Sequence, residues 1–249
     1  DPRGRVVLGV GVFPGLSTAV GAAAAETTDG CRRLDLGIRM SPLAGGGAGI
    51  CALMTRMLDT PAFRYEEGAR REYGPVGPGI RLPYDDGPQP SICVAIPDTA
   101  LLRYATGLDD VATYLAPRPP ILRYGLRLAA AVVRRSGPLR EALLQASYRS
   151  LRLLRSILLR PVSSPVEISA VADPDKPTEK VQRCTIGDAR HGTALDAAAS
   201  VAQLVADRPA GSPLSPGLHT AAALGPPREL IDRARVLGGG ATDLWLTEP

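Results

Sequence analysis

Apolar runs and glycine- or proline-rich breaks alternate along the chain, and their periods predict two kinds of element. Val6-Val7-Leu8 is a short β-branched run ending at Gly9, which reads as a buried strand. Leu16 to Glu26 is an Ala-rich helix closed by Thr27-Thr28-Asp29-Gly30, with Pro14 at a first helical position, where its missing N–H is harmless. Leu34 to Met40 alternates like a half-buried strand, and Ile50 to Leu58 looks helical. From Phe63 to Tyr114 the short runs Phe63–Tyr65, Arg70–Tyr73, Ile80–Leu82 and Ile92–Ile96 stand between Gly- and Pro-containing turns, as in an antiparallel sheet. Two helices follow, over 121–135 and 138–160, broken by Ser136-Gly137-Pro138. Val166 to Val171 alternates again and is expected to pair with Val181 to Ile186 across the turn around Asp173. A helix over Gly192–Asp207, a Pro/Gly/Ser-rich loop to Pro216 and a helix over Pro227–Leu237 complete the pattern. It predicts an α/β fold with α+β character, and no internal repeat.

Composition narrows this only a little. The 249 residues are 45% apolar and 22% charged, with a formal net charge of +4, which is not the balance of a disordered chain. Four cysteines are too few for a disulfide scaffold. Cys31, Cys51, Cys93 and Cys184 form no C-x-x-C pair and have no histidine at metal spacing, so reduced, buried thiols in a cytoplasmic protein are expected and no metal. Lys176 and Lys180 are the only lysines and asparagine is absent, a bias that fits GC-rich coding. The arginine excess is therefore no nucleic-acid signature. The chain opens at Asp1 without a methionine or a signal peptide, which raises the expectation that it is the later part of something longer.

Charge is unevenly spread. Residues 118–160 hold ten arginines and one acid, Glu141, a local balance of +9 against +4 for the whole chain. Over 138–160, Leu139, Leu143, Ala146, Leu154, Ile157 and Leu158 fall near three-and-four spacing opposite the arginines. The plain reading is a solvated helix packed on a sheet. The functional one is a basic amphipathic helix that lies on an anionic membrane surface, peripherally attached, or receives an acidic partner. Nucleic acid is not expected, because no aromatic platform accompanies the charge.

Three patterns bear on chemistry. Gly9-x-Gly11-x-x-x-Gly15 sits between a strand and a helix, where glycines let backbone approach a pyrophosphate, and Asp35 follows 26 residues after Gly9 in the place of a ribose-binding acid. A tight strand-to-helix turn is the plainer reading of the same glycines. The cluster Gly45-Gly46-Gly47-Ala48-Gly49 lacks the Gly-Lys-Ser/Thr ending of a P-loop, leaving an active-site loop or a simple connector. His191 and His219 are isolated in sequence, with a surface or capping role set against general acid–base work. Asp85-Asp86 and Asp109-Asp110 read as turn chemistry.

The turn Val7-Leu8-Gly9-Val10-Gly11-Val12-Phe13-Pro14-Gly15-Leu16-Ser17 resembles that of the saccharopine dehydrogenase-like oxidoreductases. In that family such a turn follows the last strands of the nucleotide-binding domain, near nicotinamide and substrate. Leu36–Met40 with Ser41 to Gly49, then Leu82-Pro83-Tyr84-Asp85-Asp86-Gly87, Val166-Glu167-Ile168 and Pro216-Gly217-Leu218-His219, fall in the family's order. Family members begin about a hundred residues earlier with a phosphate loop that this sequence does not show. The resemblance therefore implies the end of a Rossmann-type sheet followed by a mixed or antiparallel sheet covered by helices. It assigns residues 1–33 to the terminal strand and helix of a nucleotide-binding domain, 34–225 to a substrate and dimerisation domain, and 226–249 to a C-terminal helix and tail. It implies NAD(P), a small-molecule substrate and a homodimer. Gly9, Gly11, Phe13, Pro14 and Gly15 become cofactor- or substrate-proximal backbone, and no catalytic acid or base carries over. Hydride transfer by this chain alone is not expected. Two rivals stand beside this reading: a non-catalytic dimerisation or docking module using the Arg-rich helices, and a complete small dinucleotide-binding protein using Asp35.

Overall fold

In the strand β2, Arg33–Met40, side chains alternate between two faces, and every position except Arg33 is buried. Leu34, Leu36, Ile38 and Met40 look one way; Arg33, Asp35, Gly37 and Arg39 look the other. The computed structural model describes residues 5–41, 48–158, 165–176, 179–187, 194–195, 197–200, 217–221, 224–237 and 245–247. Within them β2 is the middle of a mixed sheet. It runs parallel to β7, Asp110–Pro117, with Leu36 opposite Thr113, and antiparallel to β8, Val166–Ala172, with Ile38 opposite Ile168. β9, Lys180–Ile186, pairs with β8 as the alternation predicted, and β11, Trp245–Thr247, lies outside β9.

Beyond β7 the sheet divides. At the start of β7, Tyr65 of β3, Phe63–Glu66, sits opposite Val111, and β4, Ala69–Glu72, extends that edge. At its end, Ile92 of β6, Gly87–Val94, sits opposite Leu115, and β5, Val76–Tyr84, completes a long hairpin. A separate parallel pair joins β1, Arg5–Leu8, to β10, Gly217–Thr220. The architecture is mixed α/β, with parallel and antiparallel pairs covered by helices.

The two faces of β2 acquire different covers. On the face of Leu34 and Ile38, helix α1, Ser17–Glu26, packs through Ala19, Val20 and Ala23, joined by Leu102 and Leu230 in one apolar core. α1 is buried on nearly all sides because the sheet, α3 (Asp98–Thr106) and α6 (Pro227–Leu237) all contact it. Only a helix of small residues fits such a slot, and a Cβ on Gly21 would meet Leu102 Cδ2 at 2.7 Å. On the other face the β5–β6 hairpin folds across β2, and Leu82, Tyr84, Cys93, Ala112, Tyr114 and Val171 form a second core. Gly37 is what lets it lie so close: a Cβ there would run into the Tyr84 hydroxyl and come within 2.6 Å of Leu82 Cδ1.

Three expectations change. The stretch before Tyr114 is not sheet throughout, since α3 interrupts it and brings β7 back parallel to β2. Pro14 is not in the first helical turn, because its ψ of 154° is extended and α1 begins at Ser17. The Arg-rich pair folds as α4, Leu122–Arg135, a 3₁₀ turn at Gly137–Leu139, and α5, Arg140–Leu158. Its inner contacts use Leu58 of the segment after α2 (Ala48–Met57) with Ala130, Val133 and Leu144. Of the stripe foreseen on α5, Leu143 packs against this cluster beside the buried Leu144, whereas Leu139 is 64% exposed and Ala146 is exposed too; the side chains of Leu154, Ile157 and Leu158 lie outside those described. Among the described residues no helix is long and apolar enough to cross a membrane.

Candidate functional site

β1 ends at Leu8 and the chain then turns sharply into α1. Gly9 has φ +69° and Gly15 φ +144°, backbone conformations that disfavour any side chain, and the Phe13–Pro14 peptide is cis. Gly9 is also required by packing, since a Cβ would meet Leu101 Cδ1 at 2.9 Å. The Leu16 N–H donates to the Gly11 carbonyl at 2.9 Å, and that of Ser17 to the Val12 carbonyl. These are donors a phosphate would need at a helix start, and they are spent inside the turn. Val12 and Leu16 are buried in the core, while Phe13 and Pro14 are half-buried. Gly9, Gly11, Phe13, Pro14 and Gly15 therefore make a packed strand-to-helix turn that does not fit a pyrophosphate.

The first turn of α1 is fixed from below. The Ser17 and Thr18 hydroxyls both donate to Asp98 Oδ1, Thr18 at 3.4 Å, and Asp98 stands at the start of α3 with no exposure. Its Oδ2 has no protein partner. Burial pushes the Asp98 carboxyl up to about 6, against the lowering pull of the Ser17 hydroxyl, its own backbone N–H and Thr18. A carboxyl so enclosed anchors α1 to α3 and has no route to a reactant.

Because α1 runs opposite to β2, its first turn stands at the end where β2 and β7 finish. The hairpin face of that end carries a network no local pattern announced. Arg39 grips Asp86 with both guanidinium nitrogens, at 2.5 and 2.7 Å, and donates to Glu167 Oε2 at 3.1 Å. Arg118, just past β7, donates to the other oxygen of Glu167. Arg39 and Glu167 are almost closed to water, at 8% and 7% side-chain exposure. One strand along, Arg183 donates to the Tyr84 carbonyl at 3.2 Å and Thr185 to Asp85 at 2.8 Å. Three segments singled out in sequence, at 82–87, 166–168 and 36–40, thus converge. Asp85 and Asp86 do more than shape a turn: they moor the hairpin tip across the sheet. The Arg39 hydrogen bonds hold the Asp86 carboxyl below its ordinary range, and burial drives the Tyr84 phenol upward.

Asp35 belongs to the opposite end. It lies on the hairpin face, 1% exposed, paired with Arg33 at 2.7 Å, in a 360 Å³ cleft shared with Arg64, Glu66 and Tyr114. Burial raises its carboxyl, and Arg33 opposes that. Since the Gly9–Gly15 turn packs on the helix face and β1 pairs with β10 rather than β2, Asp35 is not the ribose acid of a dinucleotide unit.

The remaining candidates divide. His219 is in β10, and His191 lies outside the described residues, as do Gly45, Gly46 and Gly47. All four cysteines are free; Cys51, Cys93 and Cys184 are buried and Cys31 is partly so. Among the described residues no three His, Cys, Asp or Glu side chains group as a metal site.

Fold and rim together define a mixed α/β protein in which a glycine-bearing strand-to-helix turn leads into the helix that covers β2 of the parallel pair β2 and β7. Compared by sequence, the chain matches no family profile and no curated protein. Compared by structure, it is similar to apo saccharopine dehydrogenase (L-Glu forming) from Saccharomyces cerevisiae, with a TM-score of 0.51 and 10% identity, over 96% of this chain and 73% of that one. At that identity the likeness is one of fold.

Proposed function

We propose that this chain is the substrate-side portion of a saccharopine dehydrogenase-like, NAD(P)-dependent oxidoreductase, and does not catalyse hydride transfer alone. What supports the reading is a fold similar to that of saccharopine dehydrogenase over 96% of this chain, together with a rim where the parallel strands β2 and β7 both end. Ligands of open α/β sheets collect outside the carboxyl ends of parallel strands. Nicotinamide supplies the hydride chemistry when bound, so the chain's own task is orientation. Gly9, Gly11, Phe13, Pro14 and Gly15 offer fixed backbone beside that rim, and the Arg39–Glu167–Arg118 network keeps its other wall rigid. The phosphates must be held elsewhere, because this turn has no free cradle for them.

Calorimetric titration with NADH and NADPH tests the reading. With a nicotinamide-side contact and no phosphate cradle, saturable binding in the order of millimolar is expected, equivalent to ~4 kcal/mol. Phe13→Ala should weaken it severalfold. Absence of saturable binding, or binding indifferent to Phe13, sinks the proposal.

A further inference from the structure

α4 is apolar on two sides. Its inner side, Leu126, Ala130 and Val133, packs beneath it. Its outer side presents Ile121, Tyr124, Leu128 and Val132, at 70, 56, 67 and 49% exposure. Their spacing of three, four and four makes one stripe along the helix. A row of large apolar side chains held in water marks an interaction surface.

Its charge is purely cationic and is gathered along one flank of the stripe. No acidic residue occurs between Arg118 and Arg140, while Arg123, Arg127, Arg134 and Arg135 all belong to α4. Arg127, Arg134 and Arg135 line a 650 Å³ cleft beside Gly74 and Gly77 with no carboxylate in its wall. The Arg123 guanidinium lies 4.6 Å from the Tyr124 ring centre, giving an aromatic with a charged head beside the stripe.

We infer that α4 is a docking surface for an anionic lipid bilayer, its outer stripe entering the acyl boundary while the flanking arginines engage headgroups. Charge complementarity selects this occupant. A second copy would bring two acid-free rows of arginine together. Nucleic acid would satisfy the arginines but leave Ile121, Leu128 and Val132 against phosphate. A bilayer with negative headgroups answers both the stripe and the charge. The inference is independent of the oxidoreductase reading.

Sedimentation with vesicles tests it on the whole chain. Binding is expected to vesicles of phosphatidylcholine mixed with phosphatidylglycerol and not to phosphatidylcholine alone, and about 0.5 M salt should abolish it. Leu128→Glu with Val132→Glu should reduce partitioning at least tenfold. Arg127→Gln, Arg134→Gln and Arg135→Gln should each cost about fivefold. All five positions except part of Val132 face water, so far-UV circular dichroism should not change, and Tyr124→Trp should show a blue-shifted emission on the vesicles. Equal binding to both vesicle types, binding to neither, or binding that ignores Leu128 and Val132 overturns the inference. So does stripe-dependent binding of poly-glutamate at equal strength, which would assign the surface to an acidic protein.

Discussion

Replacing Arg39 by methionine is the sharpest perturbation of the network at the sheet's end. Methionine keeps much of the apolar stem and removes only the guanidinium. Glu167, 7% exposed, then keeps Arg118 alone, whereas Asp86, 54% exposed, is returned to water. Stranding one member of a buried pair costs about 3–5 kcal/mol. Arg118 still holds one Glu167 oxygen, so the low end, about 3 kcal/mol, is expected. Asp86→Asn removes a solvent-facing partner and should cost no more than ~1 kcal/mol. Arg39→Met with Glu167→Gln removes the stranded charge and should recover at least about half of the loss. Urea unfolding followed in parallel by circular dichroism and by the fluorescence of Trp245, the only tryptophan, gives all three values. If Arg39→Met lies within about 1 kcal/mol of the parent, or the double variant is no better than the single one, the network is not what pins the hairpin.

Other consequences follow from individual contacts. Asp98 titrates near 6 when folded and near ~3.9 when unfolded, so the folded state holds the proton more tightly. That contribution is complete below about pH 4 and is lost as pH rises through 6; relative to Asp98→Asn, the parent should gain up to ~3 kcal/mol on acidification across this window, and parallel profiles would contradict it. Gly37→Ala must push the Tyr84 hydroxyl and Leu82 away from β2, costing about 1–3 kcal/mol and accelerating hydrogen exchange at 84–87; unchanged exchange would refute the close approach. Burial pushes the Cys93 thiol up to about 11 and Cys184 up to about 12, so at pH 8 a maleimide should label Cys31 first, and fast labelling of either buried thiol would refute their enclosure.

How much of this was written locally depends on how far apart the partners lie. The alternation at Leu34–Met40 and at Val166–Val171 announced strands because each has two chemically different faces, and the Ala-rich run before Thr27 announced α1. α3 was missed because Asp98 and Thr99 are buried polar residues at its start, which leaves its nine residues only a short apolar face to show a helical period. The mooring of the hairpin was illegible for another reason. Arg39 lies 47 residues from Asp86 and 128 from Glu167, and nothing in any one of these segments names the others. Only the register of β2 on β8, which sets Arg39 opposite Glu167, brings them together. Similarly, Asp35 has the spacing of a ribose acid but the wrong parity on its strand, and parity decides the face.

Parity also explains where the chain's charge is left over. On the hairpin face the cations are matched: Arg33 with Asp35, Arg39 with Asp86 and Glu167, and Arg183 with Asp85. Of the ten arginines over 118–160, Arg118 is drawn into that network and Arg140 reaches Asp59. Arg127, Arg134 and Arg135 instead share a cleft without acids, on the helix whose outer face is apolar. Folding has little use for such an arrangement, since exposed cations side by side repel and an exposed leucine gains nothing from water. The positive charge that the sequence concentrates in one segment is therefore divided by the fold, Arg118 being spent on the network at the sheet's end while Arg127, Arg134 and Arg135 are left exposed on the helix that carries the outer apolar stripe.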